Sequence, residues 1–178
     1  MSSYDRRRIA RELAALPDPA PNTTAKGRRL QDLAEYLLRE IDGLTIVGRN
    51  ILNGAKSEEK DLWVQHRPYI SSLPFADVLF PVECKNEDQR TSGAQIRDFE
   101  LKIRDSGGHD GLFITAMGLS GDPASRAHHA ITMALSQGIR IIVITVADLA
   151  SLNTSTDLVG LLIDRFTELR VIQGYHSI

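Results

Sequence analysis

Two rhythms of apolar residues alternate along this chain, one recurring every three to four positions and one running in short continuous blocks, and their order outlines a fold. Ile9, Leu13 and Leu16 stand at helical spacing within residues 4–16, and Pro17, Pro19 and Pro21 then break the pattern. This predicts a short N-terminal helix followed by a stiff linker. From Thr23 or Thr24 as N-cap to about Asp42, a second helix places Leu30, Leu33, Ala34, Leu37, Leu38 and Ile41 on one face, with Gly43 as its stop.

Three short β-rich runs follow: LTIVG (44–48), DLWVQ (61–65) and Val78 to Lys85. Turn-forming Asn53-Gly54 and Ser71-Ser72 separate them, so a meander or hairpins are expected. Pro81 cannot donate to a ladder, so the third strand either begins there or carries a bulge. Helical spacing returns over 94–105 through Ile96, Phe99 and Ile103, followed by a buried strand at 111–116, an alanine-rich helix at 122–137 and a buried strand at 139–146. A last amphipathic helix is predicted over 156–171, through Leu158, Leu161, Leu162, Phe166 and Leu169. Strand-helix alternation in the second half implies a parallel portion of sheet. The expected fold is α/β, with a mixed sheet flanked by helices on both faces.

Composition narrows the class. The 178 residues suit one compact domain, and 42% apolar with 25% charged residues exclude a disordered or fibrous chain. Cys84 is the sole cysteine, which leaves no intrachain disulfide and no multi-cysteine zinc site, as expected of a cytoplasmic protein. No apolar stretch has the length of a signal-peptide core or a membrane span, so no membrane partner is expected. A net charge of −2 means that any nucleic acid must be held by local basic patches. Two are visible, Arg6, Arg7, Arg8 and Arg11 in the first helix and Lys26, Arg28 and Arg29 in the second; both also read as solvated helix faces. His128 and His129 lack a ligand-spaced partner and read as surface or boundary residues, and the glycines at 107, 108, 118 and 121 read as turns.

The chemistry concentrates at VECKN, positions 82–86. Glu83 and Lys85 alternate to one face of their strand, about 6 to 7 Å apart. Asp61 opens the preceding strand, and antiparallel pairing would bring it beside Glu83. Converging carboxylates repel one another unless a hard divalent cation, most often magnesium, lies between them. In phosphodiester hydrolysis such an ion polarises the phosphoryl oxygen, acidifies a bound water and steadies the leaving oxygen, while a nearby lysine could orient or help deprotonate that water and offset developing charge. By spacing alone, the three residues read equally as exposed ion pairs on an edge strand.

Asp61 with Glu83-Cys84-Lys85 resembles the PD-(D/E)XK nuclease signature, and its surroundings resemble the restriction-endonuclease-like, Mrr-type branch of that superfamily. The matching stretches are KGRRLQDL (26–33), GRN (48–50), SEEKDLWV (57–64), PVECKN (81–86), QIRDFELKI (95–103), DGLFITAMGLSG (110–121) and GIRIIVITVADLASL (138–152), in the family's order. The resemblance implies a restriction-endonuclease-like αβββαβ core over about 23–152 within a single domain, with the terminal helices as additions. It further implies metal-dependent cleavage of DNA in prokaryotic restriction or anti-phage defence, with magnesium as cofactor and manganese able to replace it.

Carried over by position, Asp61, Glu83 and the Cys84 carbonyl would hold the metal and Lys85 would be the catalytic lysine. Gln31 stands where many relatives carry a glutamate, and Asp32 or Glu35 could substitute for it. Asn86, Gln95 and Glu59 are supporting candidates, and Lys26, Arg28, Arg29 and Arg90 are candidate nucleic-acid contacts. The Cys84 thiol, on the opposite face from Glu83, reads as a small buried hydrophobe. Other readings remain open: a catalytically silent nucleic-acid-binding or assembly subunit, or a nuclease of branched DNA or RNA. Specificity in so small a nuclease would come from homodimerisation, a defence-system partner protein or DNA shape, with the terminal helices as candidate interfaces.

Overall fold

The protein is described by a computed structural model covering residues 2–17, 23–49, 61–121 and 126–175. Two helices open the chain, α1 (Arg6–Ala15) and α2 (Thr23–Arg39), followed by strands β1 (Leu44–Arg49), β2 (Asp61–His66) and β3 (Leu79–Lys85). Next come α3 (Gly93–Asp105), β4 (Asp110–Thr115), α4 (Arg126–Ser136), β5 (Arg140–Thr145), α5 (Val146–Ala150) and α6 (Ser155–Ile172). The five strands form one sheet in sequence order. β1, β2 and β3 pair antiparallel, in keeping with the expected meander, and β3, β4 and β5 pair parallel through the crossovers α3 and α4.

Each face of the sheet has its own core. Phe80, Val82 and Cys84 of β3 join Leu62, Val64, Leu112, Ile114, Ile142 and Ile144 beneath α1, α2, α5 and α6. Phe113, Ile141 and Val143 pack on the opposite face with Ile96, Phe99 and Ile103 of α3 and Ala127, Ala130 and Ile131 of α4. His128 belongs to this buried layer at 3% exposure, which corrects its expected surface or boundary position; His129 is exposed. The alanine-rich face of α4 lies close enough to the sheet to bury its polar neighbour as well.

Pro81 neither starts β3 nor makes a bulge there, since it stands in register with Trp63 within the continuous β2–β3 ladder. Lys85 O accepts from Ala116 N, which shows that odd positions of β3 turn their backbone groups toward β4. Pairing with β4 begins only at Val82, so no ladder hydrogen bond is demanded of Pro81. The sheet's irregularity lies in β1, between Ile46 and Gly48.

The outer edge of β5 is covered by Tyr175, beyond α6. The Tyr175 hydroxyl donates to Ile141 O at 2.8 Å and accepts from Val143 N at 3.1 Å, satisfying two edge groups with one buried side chain. On the neighbouring strand, Asp110 is fully buried, receives Arg140 and the amides of Ala76 and Asp77, and so ties the β2–β3 loop to the start of β4. Among the described residues, no helix is long and apolar enough to cross a membrane.

Candidate active site

β3 is the central strand of the sheet, so Glu83 and Lys85 do not lie on an edge strand. Its even positions feed the core beneath α2, which leaves Glu83 and Lys85 on the α3 face. Glu83 is only 6% exposed, and a carboxylate removed from water needs opposite charge and hydrogen bonds. It has both. Lys85 Nζ stands 2.9 Å from Oε1, and Lys102 Nζ, from α3, donates to Oε2 at 2.7 Å.

Burial alone would lower the Lys85 pKa, but the charge and hydrogen bond of Glu83 outweigh it and the pKa rises, with Lys102 opposing the rise. Lys85 is therefore an ammonium at neutral pH in this arrangement. That suits it to orienting a water and offsetting negative charge, rather than to removing a proton.

Asp61 stands directly opposite Glu83 in the β2–β3 register. His66 N donates to Val78 O at 2.7 Å, and counting along the ladder makes 61/83 a non-hydrogen-bonded pair, the closer of the two antiparallel spacings. Positions 61 and 83 share a face of the sheet. By the same count the backbone of Cys84 is turned toward β2, while its thiol is buried in the opposite core. The side chain of Asp61 lies outside the described residues, as do Glu59 and the side chain of Lys26.

α2 approaches this end of the sheet from the other face. Arg49, paired across the ladder with Leu62, makes ion pairs with Asp32 and, at 3.0 Å, with Glu35; Arg39 holds the other Glu35 oxygen at 2.6 Å. Glu35 is thus occupied by two arginines. Gln31, one position before Asp32, is 1% exposed, and neither its Oε1 nor its Nε2 has a hydrogen-bond partner among the described residues. A buried primary amide without partners is costly, and it marks a place where an additional polar group would be accommodated.

The remaining expected site residues have local work. Asn86 is buried and donates through Nδ2 to Leu16 O, fixing the turn after β3 to the end of α1. Gln95 closes the N-terminus of α3 in a capping box with Ser92 and donates to Glu87 at 2.9 Å, so its amide is spent on the helix start. Arg29 donates to Ala15 O and Arg90 to Leu119 O at 3.2 Å, while Arg28 is exposed. In the other basic patch Arg8 lies 3.9 Å over the Tyr36 ring and Arg11 pairs with Glu12, with Arg6 and Arg7 exposed.

Lys102 is the site residue that spacing did not single out. The signal was within QIRDFELKI: position 102 lies beside the core position 103 and three after Phe99, a sheet-facing neighbourhood for a lysine.

As for a metal, no group of three or more His, Cys, Asp or Glu side chains among the described residues could hold one. The donor types nevertheless fit a hard cation: a buried carboxylate at Glu83, Asp61 opposed to it on the backbone, and a main-chain carbonyl at Cys84, all oxygen donors. No protein-family model matches the chain, and no curated protein matches it.

Proposed function

We propose that this chain is a divalent-cation-dependent endonuclease of restriction-endonuclease-like architecture that hydrolyses phosphodiester bonds in DNA, serving prokaryotic restriction or anti-phage defence. The observation that carries the reading is the β2–β3 register, which opposes Asp61 to Glu83 in a strand where Glu83 also bonds Lys85. Asp61, Glu83 and the Cys84 carbonyl would hold magnesium, with manganese in its place, and the bound ion would supply a more acidic water and charge compensation at phosphorus.

The protein's own groups do the rest. Glu83 fixes Lys85 Nζ at 2.9 Å, and the ammonium orients the attacking water and faces the negative charge that builds on the phosphoryl oxygens. The water oxygen bonds to phosphorus as one phosphorus–oxygen ester bond breaks; the water's proton leaves to solvent, and the departing sugar oxygen takes a proton from solvent. One strand end leaves as a phosphate monoester, the other as a hydroxyl. Exposed Arg28 contributes attraction to the nucleic-acid backbone.

A silent nucleic-acid-binding subunit is the second reading, favoured by the uncharged Gln31 at the position that carries a glutamate in many nucleases this sequence resembles. Supercoiled plasmid, linear duplex, single-stranded DNA and RNA incubated with the purified chain in magnesium, manganese or EDTA separate the two. Metal-dependent cutting of DNA is expected. A folded chain that binds DNA and cuts none of the four substrates overturns the enzyme in favour of the subunit.

A further inference from the structure

Glu83 is shared by two ammonium groups, and only one of them belongs to the strand. Lys102 Nζ lies 2.7 Å from Oε2 and its side chain is 16% exposed. It is delivered by a well-fixed element: Phe99 and Ile103, its neighbours on α3, are buried against β4 at Gly111, where an added Cβ would meet Ile103 Cδ1 at 2.5 Å. Ser92 and Gln95 close the start of the same helix, and Lys102 and Arg104 occupy its last turn, where the helix dipole favours cations.

A carboxylate compensated by two ammoniums has little electrostatic demand for a third cation. A divalent ion taking the same oxygens would stand within a few ångströms of both lysines. An incoming phosphodiester changes that balance, since it carries negative charge and offers oxygen acceptors to an ammonium.

Resting on the nuclease reading, we propose that Lys102 couples cation and DNA binding: it holds Glu83 and opposes the cation while the site lacks nucleic acid, and passes its hydrogen bond to a phosphate oxygen when DNA arrives. Lys102 is a positioning residue acting through Glu83, and it makes the site assemble its metal chiefly on substrate. Even at the dielectric of water, a unit charge and a double charge about 5 Å apart repel by an amount equivalent to about tenfold in affinity.

The test measures manganese binding to the full chain by electron paramagnetic resonance of the free ion, with and without a short DNA duplex. A Lys85→Ala background keeps the DNA uncut. Adding Lys102→Met is expected to tighten manganese binding about tenfold without DNA and to shrink the enhancement that DNA brings. Lys102→Gln, with circular dichroism and Tm as controls for folding, is expected to do the same. Manganese affinity that is unchanged or weakened in both variants, with the DNA enhancement intact, overturns the coupling and leaves Lys102 as a structural contact. If the Lys85→Ala chain binds no manganese in either condition, or Glu83→Gln leaves its binding untouched, the nuclease reading itself fails and the coupling falls with it.

Discussion

Gly111→Ala tests whether α3, and Lys102 with it, owes its position to close packing on β4. A Cβ at Gly111 would stand 2.5 Å from Ile103 Cδ1 and 2.8 Å from both Cε1 and Cζ of Phe99, where ordinary contact begins at 3.4 Å. Both neighbours have little room to yield, since they are buried in the core beneath α3 and Phe99 already meets the Phe113 ring edge-on at 5.4 Å. The terminal methyl of Ile103 can rotate, whereas turning the Phe99 ring disturbs its edge-on contact with Phe113. Overpacking of this kind costs about 1 to 3 kcal/mol. For a chain of this length each kcal/mol lowers Tm by about 2 to 4 °C, so a fall of about 2 to 12 °C is expected. The assay is thermal unfolding followed by circular dichroism for the parent, Gly111→Ala, Ile103→Val and the double variant. Ile103→Val alone costs about 0.5 to 1.5 kcal/mol, yet it deletes the methyl that the new Cβ strikes, so the double variant should be less destabilised than the sum by at least about 0.5 kcal/mol. A Gly111→Ala chain as stable as the parent, or strictly additive effects, would refute the packing argument.

Three further outcomes rest on the packing and hydrogen bonds described above. Gly160, within α6 and with no atom within 4 Å of an added Cβ, should gain up to about 1 kcal/mol on replacement by alanine, read as a raised Tm. Tyr175→Phe strands Ile141 O and Val143 N at the β5 edge and should cost about 1 to 3 kcal/mol at neutral pH in a denaturant titration. Burial also raises the pKa of Tyr175, as it does that of Tyr4, so the folded state prefers the neutral phenols. That contribution is complete below the ordinary tyrosine pKa of about 10 and is lost as pH climbs through the raised values. Stability should therefore fall above about pH 10, and the gap between the parent and Tyr175→Phe should narrow there.

Strands and helices were legible wherever one residue type set the local outcome. The apolar blocks at 44–48, 61–65 and 139–146 became β1, β2 and β5 with shifts of a residue or so, because such short β-rich runs bounded by turn signals leave no room for a helix. Gly43 ended the second helix region as expected, at φ +86°, although α2 itself stops at Arg39. The predicted strand through 146 was cut short by Thr145, which caps α5 in a box with Asp148, a signal that the apolar run overshadowed. The start of the expected helix at 122–137 and the Asn53-Gly54 turn lie outside the described residues.

At the site, same-face placement of Glu83 and Lys85 followed from the period of a strand, and the opposition of Asp61 from antiparallel pairing of neighbouring strands. Depth did not. Whether Glu83 would be exposed or buried depends on α3 crossing above β3, and that in turn on Gly111 admitting Phe99 and Ile103, a contact between segments that no local pattern encodes. Lys102 was hidden for the same reason. Gln95 was legible as a polar residue at a helix start, but its capping role competes with any reach toward phosphate.

The most direct test of the central claim is the rate at which the purified chain nicks supercoiled plasmid in magnesium, compared with Lys85→Ala at equal fold and equal DNA affinity. Cutting that EDTA abolishes is expected, with a fall of at least about a hundredfold in the variant, the scale that follows when a positioned catalytic group is removed. Equal rates in the two proteins, or cutting that persists in EDTA, would contradict it.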